Sequence, residues 1–318
     1  MYEILNGIAD GQAGVVMRSQ ALDAGLSADD MDALLKRKEW VPLRRAAYVH
    51  SDRLAAMSDE DRHRAAVHAV VHTLRRPAVV SHTSAVVMHG LPTWGLDLSE
   101  VHVSRTDLHS SRFEAGVRHH QGEIREDDTV TVAGVRVMGI PRTVIDTARI
   151  SSFEAGVCVA DAAFRLEPAA HAATLARLNE MRDWQGARNA GAVVSFADGR
   201  SESVGESRLR VLFRNVGLPQ PELQVEFHSE SGLFVARSDF YFREQRTVGE
   251  FDGKEKYQKY LAPGEQPGDV VWREKRREDS LRRLGNEVER AIWADLDRPR
   301  AVEARFRQAF ARAERRGR

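Results

Sequence analysis

The stretch SDFYFREQRTVGEFDGKEK, residues 238–256, decides the fold class of the C-terminal part of this chain. Apolar residues run up to Phe242, a polar turn Arg243-Glu244-Gln245-Arg246 follows, and a second apolar run ends at Glu250-Phe251-Asp252-Gly253. This is the pattern of two strands joined by a short connection. Side chains alternate between the faces of a strand, which puts Phe234, Ala236, Phe240 and Phe242 together and Asp239 opposite them. In the second strand Val248, Glu250 and Asp252 share a face opposite Phe251, and the two carboxylates stand about 7 Å apart by the strand rise. Carboxylates gathered in one place repel by roughly 1 to 4 kcal/mol at 4 Å, so three converging acids require a cation or a proton. A hard divalent metal satisfies that requirement.

Outward from this stretch, Leu223–Phe227 reads as a third strand and Glu202–Val216 as the helix before it, closed by Gly217 and Pro219. Lys254–Leu261 and Trp272–Leu284 read as helices, and Val288, Ile292 and Trp293 mark a last strand. Helix, three strands, helix, strand is a small α/β arrangement over residues 197–297. The residues after Pro299 form a basic helical tail, 298–318, with eight arginines against Glu303 and Glu314 and a weak apolar stripe at Phe306 and Phe310.

Upstream, residues 1–55 read as a helix-turn-helix with a wing. Val15, Val16, Ala21 and Leu22 read as a first helix before the turn Ala24-Gly25-Leu26-Ser27; Met31, Leu34 and Leu35 recur at helical spacing after it, and Ser27 caps the second helix. Two short extended pieces, Trp40–Leu43 and Ala47–Val49, flank Arg44 and Arg45. Lys36, Arg37 and Lys38 at the end of the helix, with Arg44 and Arg45 at the wing, suit contacts to phosphates, which position a protein on duplex DNA without specifying sequence. The other reading is that this unit packs on a neighbour and touches no DNA.

Residues 56–196 read as a mixed α/β middle domain. A helix from Ser58 to Leu74 carries acids in its first turn, a second runs from Ser81 to His89, and strands fall at Val101–Ser104, Val117–His119 and on both sides of Ala133-Gly134. Pro141 opens another helix, and Phe153–Phe164 continues helical. Histidines crowd here, at 63, 68, 72, 82, 89, 102, 109, 119 and 120. His68 and His72 share a helix face but lack the glutamate of a zinc-protease motif, so these rings read as packed or solvated.

The 318 residues exceed one typical core, and the chain reads as a multi-domain α/β protein. Lys and Arg number 47, as do Asp and Glu, which excludes a generic polycation and leaves nucleic-acid binding to local patches. Cys158 is the sole cysteine, so no internal disulfide forms, and a reducing compartment fits. With no basic n-region, no apolar signal core and no apolar run of about 18 residues, a soluble cytoplasmic protein without membrane association is expected.

The first 50 residues, through SQALDAGLS and the basic wing, resemble the N-terminal winged helix of AbiEi-type antitoxins. SHTSAVVMHGLP and GIPRTVIDTAR resemble the segment that follows in those proteins. That resemblance implies an autoregulatory DNA-binding protein with a toxin partner. The ordered set Glu206 (GESRLRVLF), Asp239 (RSDFYF), Glu250 and Asp252 (VGEFDGKEKY), then RREDSLRRLGNEVERAIW, resembles the Vsr-like branch of the PD-(D/E)XK nuclease superfamily over about a hundred residues.

This second resemblance implies a metal-dependent endonuclease acting on DNA. Asp239 and Glu250 would ligate Mg²⁺ or Mn²⁺, with Glu206 a further ligand or a base. The pattern departs at Asp252, which stands where the motif has lysine; Lys254, Lys256 or Lys275 would then have to supply the cation, or Asp252 would be another ligand. Plainer readings stand beside these: Ser203 and Glu206 as a capping box, Asp239 paired with Arg237, and Asp252-Gly253 as a turn.

Overall fold

The computed structural model describes residues 2–74, 76–253 and 267–316. Lys254 and Lys256, and the helix expected over Lys254–Leu261, lie outside the described residues. The chain is an α/β protein that divides into two compact units, Met1–Phe196 and Ala197–Arg318.

The first unit opens with α1 (Tyr2–Gly11), β1 (Val15–Met17), α2 (Arg18–Asp23), α3 (Ala28–Lys36), β2 (Trp40–Arg44) and β3 (Ala47–His50). The three strands pair antiparallel in the order β1-β3-β2, the topology of a winged helix-turn-helix. Val15 and Val16, which read as helical, instead form the strand that completes this sheet, since β-branched neighbours pack well on a pleated surface. Ser27 Oγ accepts the Asp30 N–H at 3.1 Å, while Asp30 returns a bond to the Ser27 N–H at 2.9 Å, so α3 begins on a capping box.

Both faces of this sheet are covered. Val16 and Tyr48 join Leu5, Ala9, Ala21, Met31, Leu34 and Trp40 under the three helices. Val15, Met17, Ala47 and Val49 alternate to the other face and pack on Ala65 and Ala69 of α5 (Asp59–Thr73), which α4 (Ser51–Ala56) precedes. The winged helix and the middle region therefore form one compact unit rather than two bodies parting at residue 55.

A six-stranded mixed sheet follows, in the order β6-β7-β5-β4-β9-β8. Its strands are β4 (Val79–Val80), β5 (Val101–Arg105), β6 (Arg112–Glu114), β7 (Val117–Gln121), β8 (Thr129–Val132) and β9 (Val135–Met138). Its core gathers Val67 and Val70 of α5, Ala85 and Met88 of α6 (His82–Met88), and valines from β4, β5, β7 and β9. Helices α7 (Ile140–Ile150), α8 (Phe153–Leu166), α9 (Ala170–Glu180) and α10 (Ala187–Phe196) complete the unit.

The second unit runs α11 (Val204–Asn215), β10 (Glu222–His228), β11 (Phe234–Phe242), β12 (Thr247–Asp252), α12 (Pro267–Arg283), β13 (Glu287–Ile292) and α13 (Pro299–Arg316). Strands β10, β11 and β12 are antiparallel, and β12 pairs parallel to β13 across the α12 connection. Phe240, Phe242 and Phe251 meet Leu209 and Phe213 of α11 and Val302 and Phe306 of α13. Val248 and Val288 meet Leu281 of α12 with Ala236, while Phe234 is 61% exposed, so the four apolar residues expected on one face of β11 do not share one environment.

The expected basic tail departs furthest from its reading. Phe306 is fully buried, with its ring 4.8 Å from Phe213, and Val302, Ala309 and Ala313 are buried beside it. Its arginines are engaged as well: Arg305 with Glu289 and Asp295, Arg312 and Arg316 with Glu287. The i, i+4 spacing of Val302, Phe306 and Phe310, with Ala309 and Ala313, is a core stripe hidden among charges, and the helix is integral to the unit. Gly205 marks another close approach: a Cβ there would lie 2.0 Å from the Phe251 ring, so the start of α11 can sit on that ring only without a side chain. Among the described residues, no helix is long and apolar enough to cross a membrane.

Candidate functional site

Asp239 and Glu250 occupy neighbouring strands. Continuing the pairing of Phe240 with Gly249 places them opposite each other, at the point where the ladder opens. There the Asp239 carboxylate takes over from the backbone and accepts the Phe251 N–H at 2.9 Å. Arg237, one candidate partner for Asp239, pairs with Glu202 at 2.8 Å.

Glu250 is buried, and two arginines reach it: Arg277 of α12 at 2.6 Å and Arg290 of β13 at 3.4 Å. Arg290 also holds Glu278 at 3.1 Å. The cation that the clustered acids require is thus present in the fold as guanidinium. Nothing in the stretch 238–256 announces these arginines, which arrive from an element 27 residues downstream and from the parallel neighbour strand.

Glu206 is buried at the start of α11, and both of its oxygens are engaged. One accepts Ser203 Oγ–H at 2.8 Å; the other accepts the Glu202 N–H at 2.9 Å and Gln224 Nε2–H at 3.2 Å. Ser203 in turn accepts the Glu206 N–H at 3.2 Å, so Ser203 caps the helix, while Glu206 reaches back to the N–H of the residue before the cap. Asp252 is half-buried at the end of β12, and Lys275 is exposed on α12. Among the described residues, these four carboxylates supply no set of three ligand atoms within 4.8 Å of one another.

At the winged helix, Lys36, Arg37 and Lys38 are exposed at the end of α3, and Arg45 is exposed in the β2–β3 turn. Arg37 holds Glu39 at 2.6 Å. Arg44 differs from the others: it is half-buried, a Cβ on Gly116 in the β6–β7 turn would stand 3.7 Å from its guanidinium, and burial lowers its pKa. The exposed start of α3 carries Asp29, Asp30 and Asp32, so the positive charge lies at its C-terminal end and the wing.

One cluster escaped the sequence. His82, His102 and His120 each offer a ligand atom within 4.8 Å of the others. They come from three neighbouring strands: His120 on β7, His102 on β5, and His82 just past the end of β4, where the Ser81 N–H bonds the His102 carbonyl at 3.0 Å. The β5–β7 register pairs His102 with Arg118 and Ser104 with His120, so the two strand histidines share a face.

His102 Nδ1 lies 3.0 Å from His120 Nε2, and the His82 ring stacks on His120 with centroids 3.6 Å apart. His82 Nδ1 is 3.0 Å from Ser81 Oγ, to which Ser104 Oγ–H donates at 2.9 Å. Ser84 Oγ accepts the His102 N–H at 2.8 Å and meets His63 Nε2 at 2.8 Å. His82 holds φ of 51°, left-handed backbone that a ring-bearing residue seldom adopts.

Burial holds all three rings neutral. It lowers His82 well below the usual value, with His102, Arg149 and Arg142 adding to the effect. It brings His102 down to about 4 and, with His82 and His102 as neighbours, His120 down to about 2. His82 and His102 are buried, while His120 is half-buried.

The available signal was the alternation itself, since His102 and His120 each sit on a strand among valines. The pairing of β5 with β7 and β4 could not be read from spacing, and the i, i+4 pair that drew notice does not assemble: His68 is buried and His72 exposed.

No protein-family model matches the chain. Two proteins of Mycobacterium tuberculosis, uncharacterized protein MT2308 of strain CDC 1551 / Oshkosh and uncharacterized protein Rv2248 of strain H37Rv, are each 30% identical to it over 172 residues. The match takes in 54% of this chain and 60% of each relative's length.

Proposed function

We propose that this is a cytoplasmic duplex-DNA-binding regulator of the antitoxin or repressor kind. Its winged helix would hold the DNA backbone, and its C-terminal unit would keep a nuclease-like strand order with a neutralised acid face. The supporting observation is the α1-β1-α2-α3-β2-β3 order, with Lys36, Arg37, Lys38 and Arg45 exposed at the end of α3 and the wing. The packed underside of the wing sheet leaves these groups facing solvent. Such contacts release counterions, so binding to the gene's own upstream DNA, followed by fluorescence anisotropy, should weaken linearly in log[salt]. The variant Lys36→Ala, Lys38→Ala, Arg45→Ala should reduce the slope by about 3. A salt-insensitive signal, or an unchanged slope in the triple variant, would dismiss the reading.

A second reading, a Mg²⁺- or Mn²⁺-dependent endonuclease, draws support from Asp239 and Glu250 standing opposite each other at the open end of the β11–β12 ladder. Either metal would have to displace Arg277 and Arg290 from Glu250. Nicking of supercoiled plasmid with Mn²⁺, abolished by Asp239→Ala and by Glu250→Ala, would establish it. Equal nicking by the double variant would remove the site.

A further inference from the structure

We propose that His82, His102 and His120 form a binding site for a transition-metal dication of the zinc class, with the fourth position left to water. This site is independent of the DNA reading and belongs to the first unit, whereas the acidic stretch belongs to the second. Three observations carry the inference.

The first is ligand number and proximity. Tetrahedral Zn–N bonds of about 2.0–2.1 Å set ligand nitrogens roughly 3.4 Å apart. The three rings already offer nitrogens within 4.8 Å of one another, and one pair stands at 3.0 Å. Closing the set requires the His82 ring to tip off its stack with His120.

The second is the support behind each ligand. The Ser104–Ser81 hydroxyl pair meets His82 at Nδ1; in the tautomer that donates Nδ1–H to Ser81 Oγ, the far nitrogen, Nε2, is left bare as the ligand atom. Ser84, itself in contact with His63, fixes the backbone of His102. Residue 82 keeps its left-handed φ of 51°, which turns the chain where β4 gives way to α6.

The third is the donor chemistry. The set is imidazole alone, which selects Zn²⁺, Co²⁺, Ni²⁺ or Cu²⁺ and disfavours Mg²⁺, Mn²⁺ and Ca²⁺, whose sites are built from oxygen. Two of the rings are buried and the third, His120, is half-buried and keeps part of its surface in solvent. That arrangement is three protein ligands and an open position.

The test uses the tag-free full chain stripped with EDTA and titrated with Zn²⁺ and with Co²⁺. One equivalent is expected per chain, with the intense visible bands of tetrahedral Co²⁺. His102→Ala and His120→Ala should each weaken binding by about 100-fold or more, since even the groups behind a ligand are worth 10- to 100-fold. His72→Ala, an exposed histidine outside the cluster, should change nothing. Absence of stoichiometric binding, or wild-type affinity in the His102 or His120 variant, would overturn the proposal. Should those variants fail to fold by circular dichroism, X-ray absorption on the wild-type Zn²⁺ complex decides: three imidazoles sustain the site, and fewer reject it.

Discussion

The acidic face of the second unit and the histidine cluster of the first meet the same difficulty in opposite ways. In the second unit the chain gathers carboxylates and neutralises them internally, with Arg277 and Arg290 on Glu250 and the Phe251 N–H on Asp239. In the first it gathers imidazoles, which burial keeps neutral and which therefore pack against one another without a counter-charge. Charged ligands must find a partner before a metal arrives, whereas neutral ones can wait with only each other. The acid-rich stretch is thus conspicuous in sequence and closed in structure, and the histidines are inconspicuous in sequence and poised in structure.

The largest expected effect tests whether the second unit is a complete core. Phe306→Ala should cost about 3–5 kcal/mol in urea unfolding of that unit, because it empties the space shared by Phe213, Phe240 and Phe242. A loss under about 1 kcal/mol, ordinary for surface positions, would return the helix to the status of a tail.

Next comes the histidine side. Zn²⁺ at a hundred times its dissociation constant should stabilise the first unit by about 2.7 kcal/mol. Hydrogen exchange should slow in β4, β5 and β7 while the second unit is unchanged. Equal protection in both units would erase the contrast.

On the acid side, Arg277→Ala with Arg290→Ala removes two cations from a buried carboxylate and should destabilise the second unit by roughly 2 kcal/mol, with partial exposure of the arginines moderating the loss. Adding Glu250→Gln should restore most of it. The two-arginine variant should also bind Mn²⁺ more tightly than the wild type, as calorimetry would show. If it does not, arginine is not what closes that face.

The smallest effect is in pH. Burial, aided by His72 and Arg64, lowers the pKa of His68. Below about 6.5 the unfolded chain takes up a proton that the folded chain refuses. In EDTA, stability of the first unit should be full above that pH and decline below it. His68→Leu should show a shallower decline between pH 7 and 5, and an unchanged one would exclude His68 as a contributor.

Much of the architecture was legible because local signals agreed with the fold. Ser27, Ser58 and Ser203 cap the helices they announce, and the alternation at 247–252 gives the β12 strand. What failed was non-local. Val15 and Val16 needed Val49 and Tyr48 beside them to be a strand, and the arginines of α13 concealed Phe306 because the acids that hold them lie in β13 and the turn after it. The candidate acids were placed by their own strands, but their partners were not, since Arg277 and Arg290 meet Glu250 only through the parallel crossover. His82, His102 and His120 are united by sheet order alone.

The packed helix at Pro299–Arg316 also bears on synthesis. A nascent chain that has emerged only as far as Ile292 carries all four strands of the second unit's sheet, yet Phe213, Phe240 and Phe242 still lack the ring that fills the space between them. The first unit ends at Phe196 and emerges from the ribosome ahead of the second. The second must wait, holding an open aromatic surface that a chaperone would recognise, until Phe306 arrives.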